Sequence, residues 1–370
     1  MTFMPSAPET PDRLTTAIAE ADHDSGRLRF RGVDVDELVA NVTFGEVWGL
    51  LVDGRFGSGL PPAERFPLPV RTGDVRVDVQ SALAQLAPVW GFRPLHDIDS
   101  VTAREQLARA ATMAMSFIAQ SARGADLPVV PEREIDTAET VVGRFMTRWR
   151  GDPDPAHVAA LDGYFTVAAE HGMNASTLTA RVIASTGADV AACLSGAVGA
   201  ISGPLHGGAP SRALKMIQEA ALQDDADAYV RGLLERGVRL MGFGHRIYRG
   251  EDPRVRAVRD LAWRLDAPLC EIAEAVETAA LNALAERRPD QPIGVNMEFW
   301  AAVLFHGADV PPRLFTPMFI CARSAGWSAH ILEQKLLGRP IRPVATYVGE
   351  PARPATEVPG WEDIPPPRAR

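Results

Sequence analysis

Helical periodicity runs through most of this 370-residue chain, while strand alternation is scarce. In 101–122, VTAREQLARAATMAMSFIAQSA, good helix formers dominate, and Leu107, Ala111, Met115 and Ile118 recur at steps of three and four. That spacing puts apolar side chains on one face of a helix. The same reading predicts helices over 173–200, 211–222, 226–237, 253–265, 270–287 and 317–337. Asp252 before Pro253 and Thr316 before Pro317 each combine a capping side chain with a proline at the first helical position. Gly338 followed by Pro340 closes the last helix. Only 73–79, GDVRVDV, alternates with period two, and 342–348 is the other candidate extended piece. Neither supplies the repeated strand–helix alternation of a parallel α/β sheet, and no fixed-period repeat is present. The expected class is all-α, and the length suggests two lobes.

The overall charge and residue usage narrow the function. Hydrophobic residues at 46% and charged residues at 23% suit a soluble globular chain rather than a disordered or disulfide-stapled one. A formal charge of −9 disfavours a general nucleic-acid or anionic-membrane binder. Of 38 basic residues only Lys215 and Lys335 are lysines. An anionic ligand would therefore meet arginine, whose planar fork suits carboxylate and phosphate. Cys193, Cys270 and Cys321 are widely spaced without a CxxC, which reads as a reducing compartment. No basic segment followed by an apolar run opens the chain, so a signal peptide is not expected. The longest apolar stretch, 190–201, is too short for a bilayer and reads as a buried helix. The predicted location is cytoplasmic. The first dozen residues read as a loose arm. The last 21 residues carry six prolines and are either a frayed terminus or an arm across a partner subunit anchored by Trp361.

Phosphate-loop, HExxH and GxSxG signatures are absent, and in GFGHRIYRG Ile247 stands where a dinucleotide fingerprint needs its third glycine. His23, His96, His157 and His306 lack supporting neighbours, and His330, near Trp327 and Glu333, reads as structural. His206 in SGPLHGGAP lies in a glycine-rich turn. It is either a turn residue or a neutral imidazole that donates to a developing oxyanion. His245 in MGFGHRIYRGEDPR precedes Arg246, Arg249, Arg254 and Arg256. That stretch is either a salt-bridged helix start or an anion site. His171 in AAEHGMNAST sits just before the capping candidates Asn174 and Ser176.

In this order and spacing the segments resemble the citrate synthase family. EHGMNASTLTARVIAST is similar to the family's first oxaloacetate segment, SGPLHGGAP to its GPLHGG turn, and MGFGHRIYRGEDPRVR to its GHxxY/DPR segment. VNMEFWAAVLFHGADVPPRLFTPMFICARSAGWSAHILEQ resembles its last catalytic segment and long helix, and SGRLRFRGVDVDEL, 25–38, its RYRGxDIxEL motif. Together these span 25 to about 350. The resemblance implies an all-α homodimer with a large domain (1–206 and 306–370, the latter with the proline-rich arm), a small domain (207–305) and a cleft closing between them. It implies that His206 stabilises the enolate of acetyl-CoA and that His245 polarises the oxaloacetate carbonyl. His171, Arg254 and Arg323 would hold oxaloacetate, and Arg342 would reach into the partner's site. Arg249 and Arg246 would face coenzyme A phosphates, with Leu240, Met241, Gly242, Phe243 and Gly244 forming the adenine-binding loop. Acetyl-CoA is then a co-substrate, and no metal or redox cofactor is expected.

Three positions depart from the family pattern. Glu298 stands where the catalytic base is an aspartate, and Trp300 where tyrosine is usual. Glutamate has a similar reference pKa, about 4.3 against 3.9. Its extra methylene lengthens the reach by about 1.5 Å, and a misplacement of about 1 Å can cost roughly 100-fold. Trp300 beside the base suggests a crowded acyl pocket that favours acetyl. Gly172 stands where many relatives carry a carboxylate, which removes a negative charge beside His171. The implied activity is citrate synthase. A 2-methylcitrate synthase using propionyl-CoA is the close enzyme alternative, since one methyl is worth only about 1–3 kcal/mol of discrimination. A non-catalytic CoA- or dicarboxylate-binding paralogue is the alternative of a different class.

Overall fold

A computed structural model describes residues 14–22, 26–57, 59–203, 206–207, 210–245, 248 and 250–364. The chain forms two units, Thr15–Ile341 and the terminal segments Met1–Leu14 with Arg342–Arg370. The larger unit opens with short strands β1 (Ala19–Asp22), β2 (Arg27–Phe30) and β3 (Val33–Asp34). Fifteen helices follow among the described residues: α1 (Val35–Asn41), α2 (Phe44–Asp53), α3 (Val75–Trp90), α4 (Ser100–Arg123), α5 (Glu132–Ile135), α6 (Val141–Arg150), α7 (Pro155–Ala168) and α8 (Ala175–Ser185). The remainder are α9 (Val190–Ile201), α10 (Pro210–Ala220), α11 (Ala226–Glu235), α12 (Arg254–Arg264), α13 (Cys270–Arg287), α14 (Met297–Gly307) and α15 (Phe315–Leu337). The all-α expectation holds, with one small sheet added. No helix among the described residues is long and apolar enough to cross a membrane.

The sheet was not anticipated. Arg31 and Gly32 both take positive φ (49° and 86°) between the paired residues Phe30 and Val33, a two-residue hairpin turn. Leu28 and Phe30 point one way into the core, so the signal was a four-residue alternation too short to stand out. Conversely, 75–79 of the 73–79 stretch is the first part of α3, with Asp74 as its cap. Asp74 accepts hydrogen bonds from the N–H groups of Arg76 and Val77 (2.9 and 3.3 Å), and Val75, Val79, Ala82, Leu83 and Leu86 are buried. The longer three-to-four-residue pattern overrode the local alternation. The 342–348 stretch forms no strand; it belongs to the second unit, where 342–364 are exposed. The predicted 173–200 helix is two, α8 and α9, broken where Gly187 adopts φ 82°. Asp189 then caps α9 through the Ala192 N–H at 2.9 Å.

Two long helices organise the core. Helix α4, capped by Asp99 on the Thr102 N–H at 2.7 Å, packs against α15, and α15 also meets α2, α7, α8 and α9. Between Phe315 and Ile331 nearly every side chain of α15 is buried, as a helix surrounded on all sides requires. It ends at Gly338 in the left-handed conformation, as expected. Its start is two residues earlier than predicted, and Thr316 is no cap. Its Oγ1 donates instead to the Gly207 carbonyl at 2.9 Å, which ties the His206 turn to α15. Helices α12 and α13 each pack against α14, with α10 against α13 and α14 and α11 against α13. All three cysteines are free and buried.

Candidate functional site

Five chain segments converge around the amino ends of α8, α12 and α14 and the middle of α15. On the first, Asn174 caps α8, accepting from the Thr177 N–H at 3.1 Å. The residues before the cap are thereby fixed, and His171 is buried. Its Nε2 lies 3.0 Å from the Tyr248 hydroxyl, and its ring stands edge-on to His245 at 5.2 Å. Burial, then the positive field of Arg254, holds His171 well below the ordinary imidazole pKa, so the ring is neutral.

His206 follows α9. Its Nε2 is 2.9 Å from Ser176 Oγ, which also accepts from Trp327 Nε1 at 3.1 Å and lies 2.8 Å from Asn174 Oδ1. Burial and the Arg323 charge lower His206 to about 4, so it too is neutral near pH 7. The Phe319 ring packs edge-on at 6.1 Å.

The third and fourth segments are zipped together. Gly244 N–H donates to the Gly294 carbonyl (2.8 Å), and Asn296 N–H to the Gly242 carbonyl (2.8 Å), while Asn296 Nδ2 reaches the Gly244 carbonyl (2.9 Å). Gly242 and Gly244 have φ of 87° and 81°, and a Cβ on Gly242 would lie 2.6 Å from that of Phe299. Two requirements, backbone sign and close approach, thus explain glycine there. His245 follows directly. Its Nδ1 accepts from the Tyr248 N–H at 3.3 Å, and the Tyr248 ring stacks on it at 4.8 Å.

Arg254 and Asp252 form a buried pair at the start of α12. Asp252 accepts from the Arg254 backbone N–H (3.1 Å), Nε (2.9 Å) and Nη2 (2.7 Å), and from the Met297 N–H (3.3 Å). Its Oδ2 is 4.0 Å from His245 Nε2. Burial alone would raise the Asp252 pKa, but the charge and hydrogen bonds of Arg254 hold it well below the usual carboxylate range. Sequence reasoning treated Asp252 as a cap within a salt-bridged helix start, not as a buried counter-ion. Its four donors come from residues two and 45 positions away, and the second distance carries no local signal.

Glu298 lies in the first turn of α14. Asn296 caps that turn through the Glu298 N–H at 3.1 Å. Among the described residues the Glu298 carboxylate has no hydrogen-bond partner. Burial, only partly offset by Arg254, raises it to about 7. Trp300, two residues on, turns away. Its Nε1 donates to Glu277 Oε2 at 2.7 Å, and Arg259, paired with Glu277, lies 5.1 Å over its ring. The expected crowding of an acyl pocket by Trp300 is therefore corrected: the indole fills the space between α12, α13 and α14.

Arg323, on α15, is buried with its Nε donating to the Ala168 carbonyl at 3.0 Å and its guanidinium 4.7 Å from the Phe319 ring. Arg254, Arg323 and Glu298 all act electrostatically on the buried Tyr164, so the three charges lie near one another around it. Leu240, Phe243, Gly244 and His245 line an open groove of ≈ 730 Å³, with Arg239 and Arg287 among its cations. Gly242 faces Phe299, and Met241 packs on the core. Arg246 and Arg249 lie outside the described residues. Arg342 is exposed in the second unit.

A family model described as citrate synthase, C-terminal domain, matches residues 12–344. A Mycobacterium tuberculosis protein named "Putative citrate synthase 2" is 63% identical over 352 residues, covering 95% of this chain and 94% of its own. A 2-methylcitrate synthase of Shewanella oneidensis is 33% identical, covering 90% of this chain and 92% of its own. Among solved structures, citrate synthase from Thermotoga maritima superposes with a TM-score of 0.72 at 26% identity, over 96% of this chain and 99% of that one.

Proposed function

Because this chain belongs to the citrate synthase family, a family of acyltransferases, we propose that it condenses acetyl-CoA with oxaloacetate and hydrolyses citryl-CoA to citrate and CoA. The observation that carries this reading is the convergence of three histidines, two buried arginines and one carboxylate that has no hydrogen-bond partner among the described residues.

Glu298 takes a proton from the thioester methyl group, which is the work of a carboxylate raised to about 7 and free of competing donors among the described residues. The thioester oxygen gains negative charge as the proton leaves. Ser176 has one hydroxyl proton for two acceptors, Asn174 and His206. When it donates to His206 Nε2, the neutral ring carries its own proton on Nδ1 and can give a hydrogen bond to that oxygen. In His245, Nδ1 already accepts from backbone, so a neutral ring would carry its proton on Nε2, the group that would polarise the oxaloacetate ketone. The enolate carbon attacks that ketone, one C–C bond forms, and the alkoxide takes up a proton. Water then cleaves the thioester. Arg254, Arg323 and His171 hold the two carboxylates of oxaloacetate; buried guanidinium groups suit that task because they stay charged. Coenzyme A lies along the groove of Leu240, Phe243 and Gly244. Closure of 207–305 excludes water while the enolate exists. No step calls for a metal or redox group.

The active form is a homodimer, with Arg342 completing the partner's site. The acyl preference is acetyl, in keeping with the 63% identical relative's name. Propionyl remains the second reading because Trp300 faces away from the base and cannot narrow the pocket.

Thiol release tests the proposal, with acetyl-CoA and propionyl-CoA compared with and without oxaloacetate. Oxaloacetate-dependent release that is faster with acetyl-CoA is expected. Faster release with propionyl-CoA would make it a methylcitrate synthase, and ligand binding without release would make it a binding paralogue. In the same assay, Arg342→Ala and Glu298→Gln subunits should each be impaired alone and regain activity after exchange. No gain after verified exchange would separate Arg342 from the neighbouring site.

A further inference from the structure

Behind the carboxylate end of the site runs a second set of charges that the reaction itself does not use. Glu170, Arg181 and His330 are each fully buried. Arg181, on α8, donates to His330 Nδ1 at 3.0 Å and to Gln334 Oε1 at 3.1 Å, and it pairs with Glu333. Glu333 in turn accepts from the Ala17 N–H at 2.8 Å. A guanidinium can only donate, so His330 Nδ1 is an acceptor and the neutral ring carries its proton on Nε2. That nitrogen faces Glu170 Oε1 at 3.2 Å, out of line for a full hydrogen bond. Both Glu170 oxygens are otherwise unpartnered among the described residues.

Burying such a chain is costly, and well-packed apolar side chains of similar volume are often as stable or more so. Its position offers a reason for it. Three consecutive residues before His171 are laid along α15: the Ala168 carbonyl accepts from Arg323, the Ala169 carbonyl accepts from the Gly326 N–H at 3.1 Å, and Glu170 faces His330. These partners, at 323, 326 and 330, lie on one face of the helix. Gly326 is required there, since a Cβ would collide with the Glu170 carboxylate. Burial lowers Arg323 to about 10, and Glu170 is the largest influence holding it up.

We propose that the buried Glu170–His330–Arg181 chain is the positioning assembly for oxaloacetate, fixing 168–171 against α15 and so setting His171 and Arg323 at one spacing. These are positioning residues; none touches substrate. The proposal rests on the functional reading above.

The test is oxaloacetate affinity by titration calorimetry, alongside KM for acyl-CoA and the melting temperature. Glu170→Gln removes the charge at constant volume, and His330→Leu removes both ring nitrogens. Each should raise the oxaloacetate Kd about tenfold or more, the worth of a hydrogen bond to a charged group. KM for acyl-CoA should move about twofold at most, within the scatter of neutral substitutions. His330→Gln, whose amide can accept from Arg181 and donate to Glu170, should keep most of the affinity. Unchanged oxaloacetate affinity in Glu170→Gln overturns the proposal. So does a loss shared equally by both substrates and tracking the melting temperature. If His330→Leu does not fold, Glu170→Gln and His330→Gln decide. Wild-type protein that fails to bind oxaloacetate would instead overturn the functional reading.

Discussion

Asp252 and Glu298 are two carboxylates of one site, linked through the first turn of α14, and they are driven in opposite directions. The Met297 N–H donates to Asp252, while the next N–H along, that of Glu298, goes to the Asn296 cap. Burial pushes both upward. Asp252 receives four hydrogen bonds, three from Arg254, and falls well below the usual carboxylate range. Glu298 receives none among the described residues and rises to about 7. The difference is one of donor supply rather than depth. It separates a fixed counter-ion, which keeps Arg254 oriented, from a group able to gain and lose a proton near neutrality.

The largest effect is expected from Glu298→Gln. General-base catalysis contributes about 10²–10⁴-fold, and turnover should fall by that much. Stability should not fall with it, because no side-chain hydrogen bond among the described residues is lost. A carboxyl whose folded pKa is raised contributes stability that is complete below its unfolded pKa and is lost as pH rises through about 7. The amide variant should therefore match wild type near pH 4 and exceed it by about 1–3 kcal/mol at pH 8. Wild-type turnover should rise with pH through about 7 as the carboxylate form fills. Denaturation midpoints at the two pH values and a pH–rate profile check both signs. A variant that loses stability at pH 8 would show that Glu298 is held by interactions like those of Asp252, and the contrast would collapse.

The sequence was legible where chemistry is carried by short, glycine-flanked motifs. Glu298 was picked out only through the resemblance to the family's last catalytic segment, while His206 and His245 stood out as candidates because the glycine turns around them are local. The core helices were legible for the same reason, since a 3.6-residue period repeats within one segment. What escaped depends on distant partners. Asp252 as a cap and Asp252 as a buried counter-ion are the same residue in the same EDPR string, and only the Met297 N–H, 45 residues on, distinguishes them. The direction of Trp300 was misjudged because Glu277, its acceptor, lies on a different helix. Glu170 and His330, 160 residues apart, gave no pairing signal, and the alternation of 73–79 was outvoted by apolar positions further along α3.

Asp252→Asn should show the opposite pattern to Glu298→Gln. The amide keeps one acceptor for Arg254 but presents an NH₂ group where Oδ2 accepts from Arg254 Nη2 and the Met297 N–H. Donor then faces donor, and Arg254 is left as a buried cation without a counter-charge. Removing one partner of a buried pair costs about 3–5 kcal/mol. The folded pKa of Asp252 is depressed, so its contribution to stability is present above its unfolded pKa of about 3.9 and is lost as pH falls through the folded value. The deficit of the variant should thus be full at pH 7 and shrink in acid. Turnover at a temperature where the variant is folded should drop only about tenfold or less, since Asp252 transfers no proton and acts through Arg254. Chemical denaturation at pH 7 and pH 3, with kcat measured well below the transition, separates the two losses. A rate loss as large as that of Glu298→Gln in a fully folded Asp252→Asn protein would mean that Asp252 shares the proton chemistry, and that low pKa and high pKa do not divide structure from catalysis here.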